Sequence, residues 1–171
     1  EVKTIAVYDL GGGTFDISVL RISNGIFEVL STNGDTYLGG DDFDRAIVNH
    51  WAAEAGITQE ELSMHKQLSQ ELRLLAEEAK ITLSSTGSFT GIVAEQSFNL
   101  SRAQFEQLIQ PLVDRTITCC AKAMKDAGLV NSEIDEVVMV GGSTRVPLVK
   151  NTVSNYFGKK VHDTLNPDEV V

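Results

Sequence analysis

Basic residues are scarce in this sequence. Fourteen Lys and Arg stand against twenty-four Asp and Glu, a formal net charge of −10 over 171 residues. That balance argues against a nucleic-acid binder and against a partner of an anionic membrane surface. No run of about 18 apolar residues occurs, so nothing reads as a membrane-spanning helix. The opening residues carry Glu1 and Lys3 and do not read as a secretory signal. Cysteine is limited to the adjacent pair Cys119-Cys120. A disulfide between neighbours would be badly strained, so two reduced thiols in a helix core are expected. They fit a reducing compartment such as the bacterial cytoplasm. Two vicinal thiols also cannot supply the four ligands of an iron–sulfur cluster.

Other patterns are missing as well. His50, His65 and His162 share no metal-ligand spacing, and His50 is expected to pack beside Trp51. There is no Gly-x-x-x-x-Gly-Lys-Ser/Thr and no Gly-x-Gly-x-x-Gly opening a helix. Repeats, low-complexity tracts and long linkers are absent. The hydrophobic fraction, 42%, is that of an ordinary globular chain. The length suits one domain or two small subdomains. The final Asn166-Pro167-Asp168-Glu169 reads like sequence from within a longer protein.

What is present starts with an antiparallel meander. Residues 3–9 read as a strand, Gly11-Gly12-Gly13 as a turn where positive φ costs least, and Phe15, Ile17 and Val19 as the apolar face of a second strand. Ser23-Asn24-Gly25 turns the chain into a third strand over 26–32. Helical spacing follows. Phe43, Ala46, Ile47, His50 and Trp51 line a helix over 41–55, with the acids Asp41, Asp42 and Asp44 in its first turn. Leu68, Leu72, Leu75, Ala76, Ala79 and Leu83 line a second helix. Residues 87–100 suggest one or two short strands. Ser101 and Gln104 form a capping box before a long helix with Phe105, Leu108, Ile109, Leu112, Val113, Ile117, Cys120, Ala121 and Met124 on its stripe. Pro111 lies inside it and predicts a bend. A buried strand over 136–140 leads through Gly141-Gly142-Ser143-Thr144 into a helix over 145–157, closed by Gly158.

Two loops carry chemistry. In Asp9-Leu10-Gly11-Gly12-Gly13-Thr14-Phe15-Asp16 the glycines free backbone N–H groups to point at an anion. Thr14 adds a hydroxyl, and Asp9 and Asp16 are acids able to hold hydrated Mg²⁺. Phosphate, metal and carboxylates together are what phosphoryl transfer needs. In Val140-Gly141-Gly142-Ser143-Thr144-Arg145 a strand-to-helix turn offers unpaired N–H groups, and Arg145 has a flat guanidinium that can stack on a purine. Read alone, each loop is also compatible with an ordinary glycine turn.

Four motifs in order add specificity. Asp-Leu-Gly-Gly-Gly-Thr-Phe-Asp (9–16), Gly-Asp-Thr-Tyr-Leu-Gly-Gly-Asp-Asp-Phe-Asp (34–44), Val-Gly-Gly-Ser-Thr-Arg-Val-Pro (140–147) and Asn-Pro-Asp-Glu (166–169) resemble the seventy-kilodalton heat-shock chaperones. The resemblance spans essentially the whole chain and covers the second lobe of that family's nucleotide-binding domain. It implies an α/β fold, an actin-like (ribonuclease H-like) ATPase half-domain, with residues 1–36 and 112–171 forming one discontinuous subdomain and 37–111 an inserted α+β subdomain. It implies ATP or ADP with Mg²⁺ as ligands. Gly11, Gly12, Gly13 and Thr14 match the phosphate loop, and Asp9, Asp16 and Thr14 the catalytic positions, with the two acids near Mg²⁺. Gly39 and Gly40 match backbone near the nucleotide, and Glu77 and Lys80 the groups that hold the ribose. Gly141, Gly142, Ser143 and Arg145 match the adenosine loop, and Asp168 a late acid near the base. Ile81 stands where some members have Arg, which makes adenine stacking there apolar.

The family's first lobe, with its own phosphate loop, is missing from the chain. The resemblance therefore implies ATP hydrolysis in a complete protein and little in this chain alone. One departure is informative. Only about 15 residues separate Ser85 from Ser101, where general DnaK-type members carry a longer hairpin. The short form looks more like the branch devoted to iron–sulfur cluster assembly. That branch implies an HscB-type J-domain co-chaperone and an IscU-type scaffold as partners. A general protein-folding chaperone, a sugar or acetate kinase-type lobe and a pure docking module are the alternatives.

Overall fold

A computed structural model describes residues 1–163. Its elements run β1 (Val2–Leu10), β2 (Phe15–Ser23), β3 (Ile26–Asp35), α1 (Gly40–Ala55), α2 (Gln59–Met64), α3 (Lys66–Thr82), β4 (Ser88–Val93), β5 (Gln96–Ser101), α4 (Arg102–Ala127), β6 (Glu136–Val140), α5 (Pro147–Phe157) and β7 (Val161–Asp163). The fold is α/β. The described residues form two units, one of Glu1–Gly40 with residues 112–163, the other of Asp41–Pro111. The motifs alone place the first division at 36, a few residues earlier.

The discontinuous unit is built on a five-stranded mixed sheet in the order β3-β2-β1-β6-β7. The meander β1–β2–β3 is antiparallel, closed at one end by Asn24 (φ 52°) and Gly25 (φ 76°). Positive φ at both central residues of a two-residue hairpin matches the strand twist. Strand β6 pairs parallel with β1, and β7 parallel with β6. One face of β1 and β2 buries an apolar cluster next to the Gly11–Gly13 turn. Ala6, Tyr8, Leu10, Phe15, Ile17 and Val19 are all at 0% exposure, and the register sets Tyr8 opposite Ile17 and Leu10 opposite Phe15. Such cross-strand pairs are the unit of sheet stability.

The second half of α4 belongs to this unit and packs there. The Tyr8 hydroxyl and Thr116 Oγ1 share a buried hydrogen bond of 2.7 Å, and Ser31 donates to the Ala123 carbonyl. The buried stripe runs Val113, Thr116, Cys119, Cys120, Ala123, Met124. Ala121, expected on the stripe, is exposed, because 3.6-residue periodicity carries the inward face to Ala123. Cys119 and Cys120 are free and buried, as expected. Helix α4 runs unbroken through Pro111, whose ring is exposed.

In the inserted unit, α1 and α3 bury Phe43, Ile47, Trp51, Leu72, Ala76 and Ala79. The β4–β5 hairpin turns at Ala94 and Glu95, both with positive φ. Gly91 of β4 lies so close to Leu75 that an added Cβ would fall 2.5 Å from its Cδ1. The Trp51 indole donates to the Asn99 carbonyl at 2.9 Å. The capping box forms as expected: Ser101 N donates to Gln104 Oε1 at 3.0 Å and Gln104 N to Ser101 Oγ at 3.1 Å. Helix α2 is not among the expected elements. Its signal is Thr58, whose hydroxyl accepts from Glu61 N, the same Thr-x-x-Glu cap in miniature.

Candidate functional site

Three loops of the discontinuous unit leave the sheet at one edge, and the register dictates it. Strands β1 and β6 are parallel, with Asp9 beside Val140, so the loops after both emerge together. Phe15, at the start of β2, faces Asp35, at the end of β3. The β3–α1 connection therefore starts from the same edge. In open α/β sheets ligands bind outside the carboxyl ends of parallel strands.

The loops touch through glycines. A Cβ built on Gly39 would stand 2.5 Å from Gly12 C and 2.7 Å from Gly13 N, and nearer still to the Gly12 carbonyl oxygen. The Gly40 N–H donates to the Gly11 carbonyl at 2.8 Å. A Cβ on Gly141 would press on the Leu10 carbonyl, 2.7 Å from its carbon and 3.3 Å from Gly11 N. Gly141 also has φ 100°, a conformation L residues rarely adopt. Gly39 and Gly141 are thus glycines because backbone passes against them.

Gly13 and Gly142 have no such reason. Each is exposed, has φ outside the left-handed region, and would have an added Cβ meet nothing within 4 Å. The expectation of positive φ in the glycine triplet is corrected: none of Gly11, Gly12 or Gly13 is left-handed. The turn is closed instead by Gly11 N donating to the Thr14 carbonyl at 3.0 Å. Among the described residues, the N–H groups of Gly12 and Gly13 have no acceptor. Thr14 is exposed beside them.

Asp9 and Asp16 are directly opposite in the β1–β2 ladder, so their side chains share a face, with Cβ atoms about 5 Å apart in such pairs. Burial, and then the Asp16 carboxylate, push the Asp9 carboxyl above the usual range. Gly34 lies opposite Asp16 on the other side, and a Cβ there would be 3.0 Å from Asp16 Oδ1. Like charges placed opposite each other are unfavourable, and a divalent cation between them reverses the sign. Two carboxylates on one face are the donor type that hydrated Mg²⁺ takes.

Past Val140 the structure departs from expectation. Gly142–Arg145 form a 3₁₀ turn, and α5 begins only at Pro147. Proline at a first helical position has no N–H to lose. Arg145 therefore sits in the turn, exposed, and not in the helix. Ser143 is buried and caps no helix. Thr144 braces the turn, its N–H and hydroxyl both donating to the Gly141 carbonyl.

Asp35 is a site residue that the motifs do not single out. It accepts from Tyr37 N at 2.9 Å and pairs with Arg115 of α4. The Tyr37 N–H and then the Arg115 guanidinium hold its carboxyl below the usual range. An Asp that bonds its own backbone two residues on is a turn signal legible in sequence. Asp35 fixes the loop that carries Gly39.

Glu77 and Lys80 lie in the inserted unit, on α3. Their i, i+3 spacing suggests a mutual pair, but the Lys80 ammonium lies 2.9 Å from Asp44 Oδ1 instead. Asp44, expected as one of the acids opening α1, is 3% exposed. Glu77 is exposed. Asp168, expected near the base, lies outside the described residues. Neither the described histidines nor any other group of three potential ligands forms a metal cluster among the described residues. No helix among the described residues is long and apolar enough to cross a membrane.

Fold and loops together place two glycine-lined turns at one end of a mixed α/β sheet, and comparison with known proteins gives the lineage. The family model described as Hsp70 protein matches residues 1–171. The chain is 51% identical over 167 residues to the Chaperone protein HscA of Pectobacterium carotovorum, and 52% identical over 167 residues to that of Escherichia fergusonii. Each match covers 98% of this chain and 27% of the relative. The chain belongs to the Hsp70 family, and it spans about a quarter of the length of these relatives.

Proposed function

We propose that this chain is one wall of an ATP/ADP site in a chaperone ATPase. The observation that carries the reading is the pair Gly13 and Gly142. Neither backbone conformation nor packing within the described residues calls for glycine at these exposed positions. Close approach of a ligand does. In this reading Gly12, Gly13 and Thr14 donate to phosphate oxygens, and Asp9 and Asp16 hold Mg²⁺ through its waters. Bound Mg²⁺ would neutralise charge developing on a transferred phosphoryl group. Thr14 and the two acids are the proposed catalytic groups. Gly11, Gly39 and Gly40 shape the loop. Gly141, Gly142, Ser143 and Arg145 form the adenosine side, with the Arg145 guanidinium free to stack on the base. Within the inserted unit, Glu77 and Lys80 contact the ribose. The two units are the proposed subdomains of the lobe.

The names of the relatives support a chaperone role. We extend it to ATP hydrolysis in a complete protein, to iron–sulfur cluster assembly, and to HscB-type and IscU-type partners in a bacterial cytoplasm. Hydrolysis requires a closed, water-excluding site, so the isolated chain is expected to turn over little. Calorimetric titration with Mg-ADP tests the reading. Binding that is lost in both Gly142→Val and Arg145→Ala supports it. Binding equal in all three proteins would refute it.

A further inference from the structure

The inserted unit contains a charge where its helix pattern calls for an apolar residue. Along α1 the buried apolar side chains are Phe43, Ile47, Val48, Trp51 and Ala52, and Asp44 falls on that same stripe, three, four and seven residues before Ile47, Val48 and Trp51. Its side chain is 5% exposed and that of Lys80 15%. Oδ1 is fully buried and lies 2.9 Å from the Lys80 ammonium. Taking two such charges out of water is costly before their attraction is counted. An apolar pair would stabilise the unit at least as well, so stability alone does not account for the arrangement.

We infer that Asp44 is a positioning residue, which anchors the Lys80 ammonium so that its remaining N–H donors, next to the exposed Glu77 carboxylate one turn away, present a fixed donor–acceptor pair to a vicinal diol. The inference rests on the nucleotide reading of Lys80 and deepens it. An ammonium carries three donors, and Asp44 engages one side of it. A lysine is otherwise a mobile point charge on a flexible four-carbon stem. Fixing it before the ligand arrives removes the cost of ordering it from binding. Burial pushes the Asp44 carboxyl up while Lys80 pulls it down, and Glu77 and Asp41 push it up again.

The test is titration of the 171-residue chain with Mg-ADP and with Mg-2′-deoxy-ADP. The wild type is expected to prefer the ribonucleotide. Asp44→Asn should weaken ADP about tenfold, erase that preference, and have no further effect in a Lys80→Ala background. An Asp44→Asn effect of equal size in the Lys80→Ala background overturns the inference, since a general structural loss does not depend on Lys80. Lys80→Ala that loses the preference while Asp44→Asn keeps it overturns the inference alone. Lys80→Ala that leaves both affinities unchanged overturns the ribose reading, and this inference with it. Should Asp44→Asn unfold, the apolar pair Asp44→Leu/Lys80→Met is compared with Lys80→Met. Equal affinities support the inference, and a further loss in the double variant overturns it.

Discussion

Replacing Gly39 by alanine separates the role of this glycine from that of Gly13. A methyl at position 39 would sit 2.5 Å from Gly12 C and 2.7 Å from Gly13 N. Carbon atoms rest at about 3.5–4.0 Å, so the Gly12–Gly13 peptide must shift by roughly 1 Å. Backbone cannot rotate away as a side chain can. Overpacking of this kind costs about 1–3 kcal/mol. For a chain of this size each kcal/mol lowers Tm by about 2–4 °C. The displaced N–H groups would also lose alignment on the phosphates. We expect Mg-ADP affinity to fall at least about tenfold, or ~1.4 kcal/mol. Gly13→Ala is the contrasting variant. Its methyl meets nothing within 4 Å, so stability should change by no more than about 0.5 kcal/mol, yet the methyl stands where the ligand approaches and affinity should fall as far. Thermal melts followed by circular dichroism, with calorimetric titrations on the same samples, read both quantities. Unchanged stability in Gly39→Ala, or unchanged affinity in Gly13→Ala, refutes the account of these loops.

Two further predictions concern buried groups. Asp9 is held above the usual carboxylate range by burial and by Asp16, so its ionised form is disfavoured in the fold. A raised carboxyl contributes stability below its unfolded pKa and loses it as pH rises through the folded one. Asp9→Asn should therefore be more stable than wild type at neutral pH, by about 0.2–1 kcal/mol, with the gap closing on acidification through the carboxylate range, and should lose Mg-nucleotide binding. Urea melts at several pH values check the sign, and a less stable Asn variant at neutral pH would contradict it. Cys119 and Cys120 are buried, and burial raises both thiols. A thiol reagent at pH 8 should leave both nearly unreactive in the native chain and label two per chain after unfolding. Rapid native labelling of both would contradict the packing of α4.

The meander, the capping box at Ser101 and the two glycine loops are legible in the amino-acid sequence, because period, turn chemistry and spacing specify them locally. What the sequence hides depends on partners far along the chain. Asp44 looks like a helix-opening acid because helix dipoles favour such acids at that place. Only Lys80, 36 residues on, marks it as buried. The turn at Gly142–Arg145 reads as the start of a helix unless Pro147 is recognised as the first helical residue. The reasons for the glycines are equally non-local. A glycine triplet suggests positive φ, whereas contacts from Gly39 and Gly141, more than twenty and more than a hundred residues away, show which glycines serve packing. Within these two loops, Gly13 and Gly142 are the glycines whose added Cβ would meet nothing within 4 Å.

The most direct test is a two-dimensional amide NMR titration of the chain with Mg-ADP. The account predicts that Gly12, Gly13 and Gly142 shift together along a single binding isotherm, and that Gly56 and Gly128, which end helices, stay in place. Shifts at Gly12 and Gly13 without Gly142, or at neither loop up to millimolar nucleotide, would contradict a shared nucleotide surface.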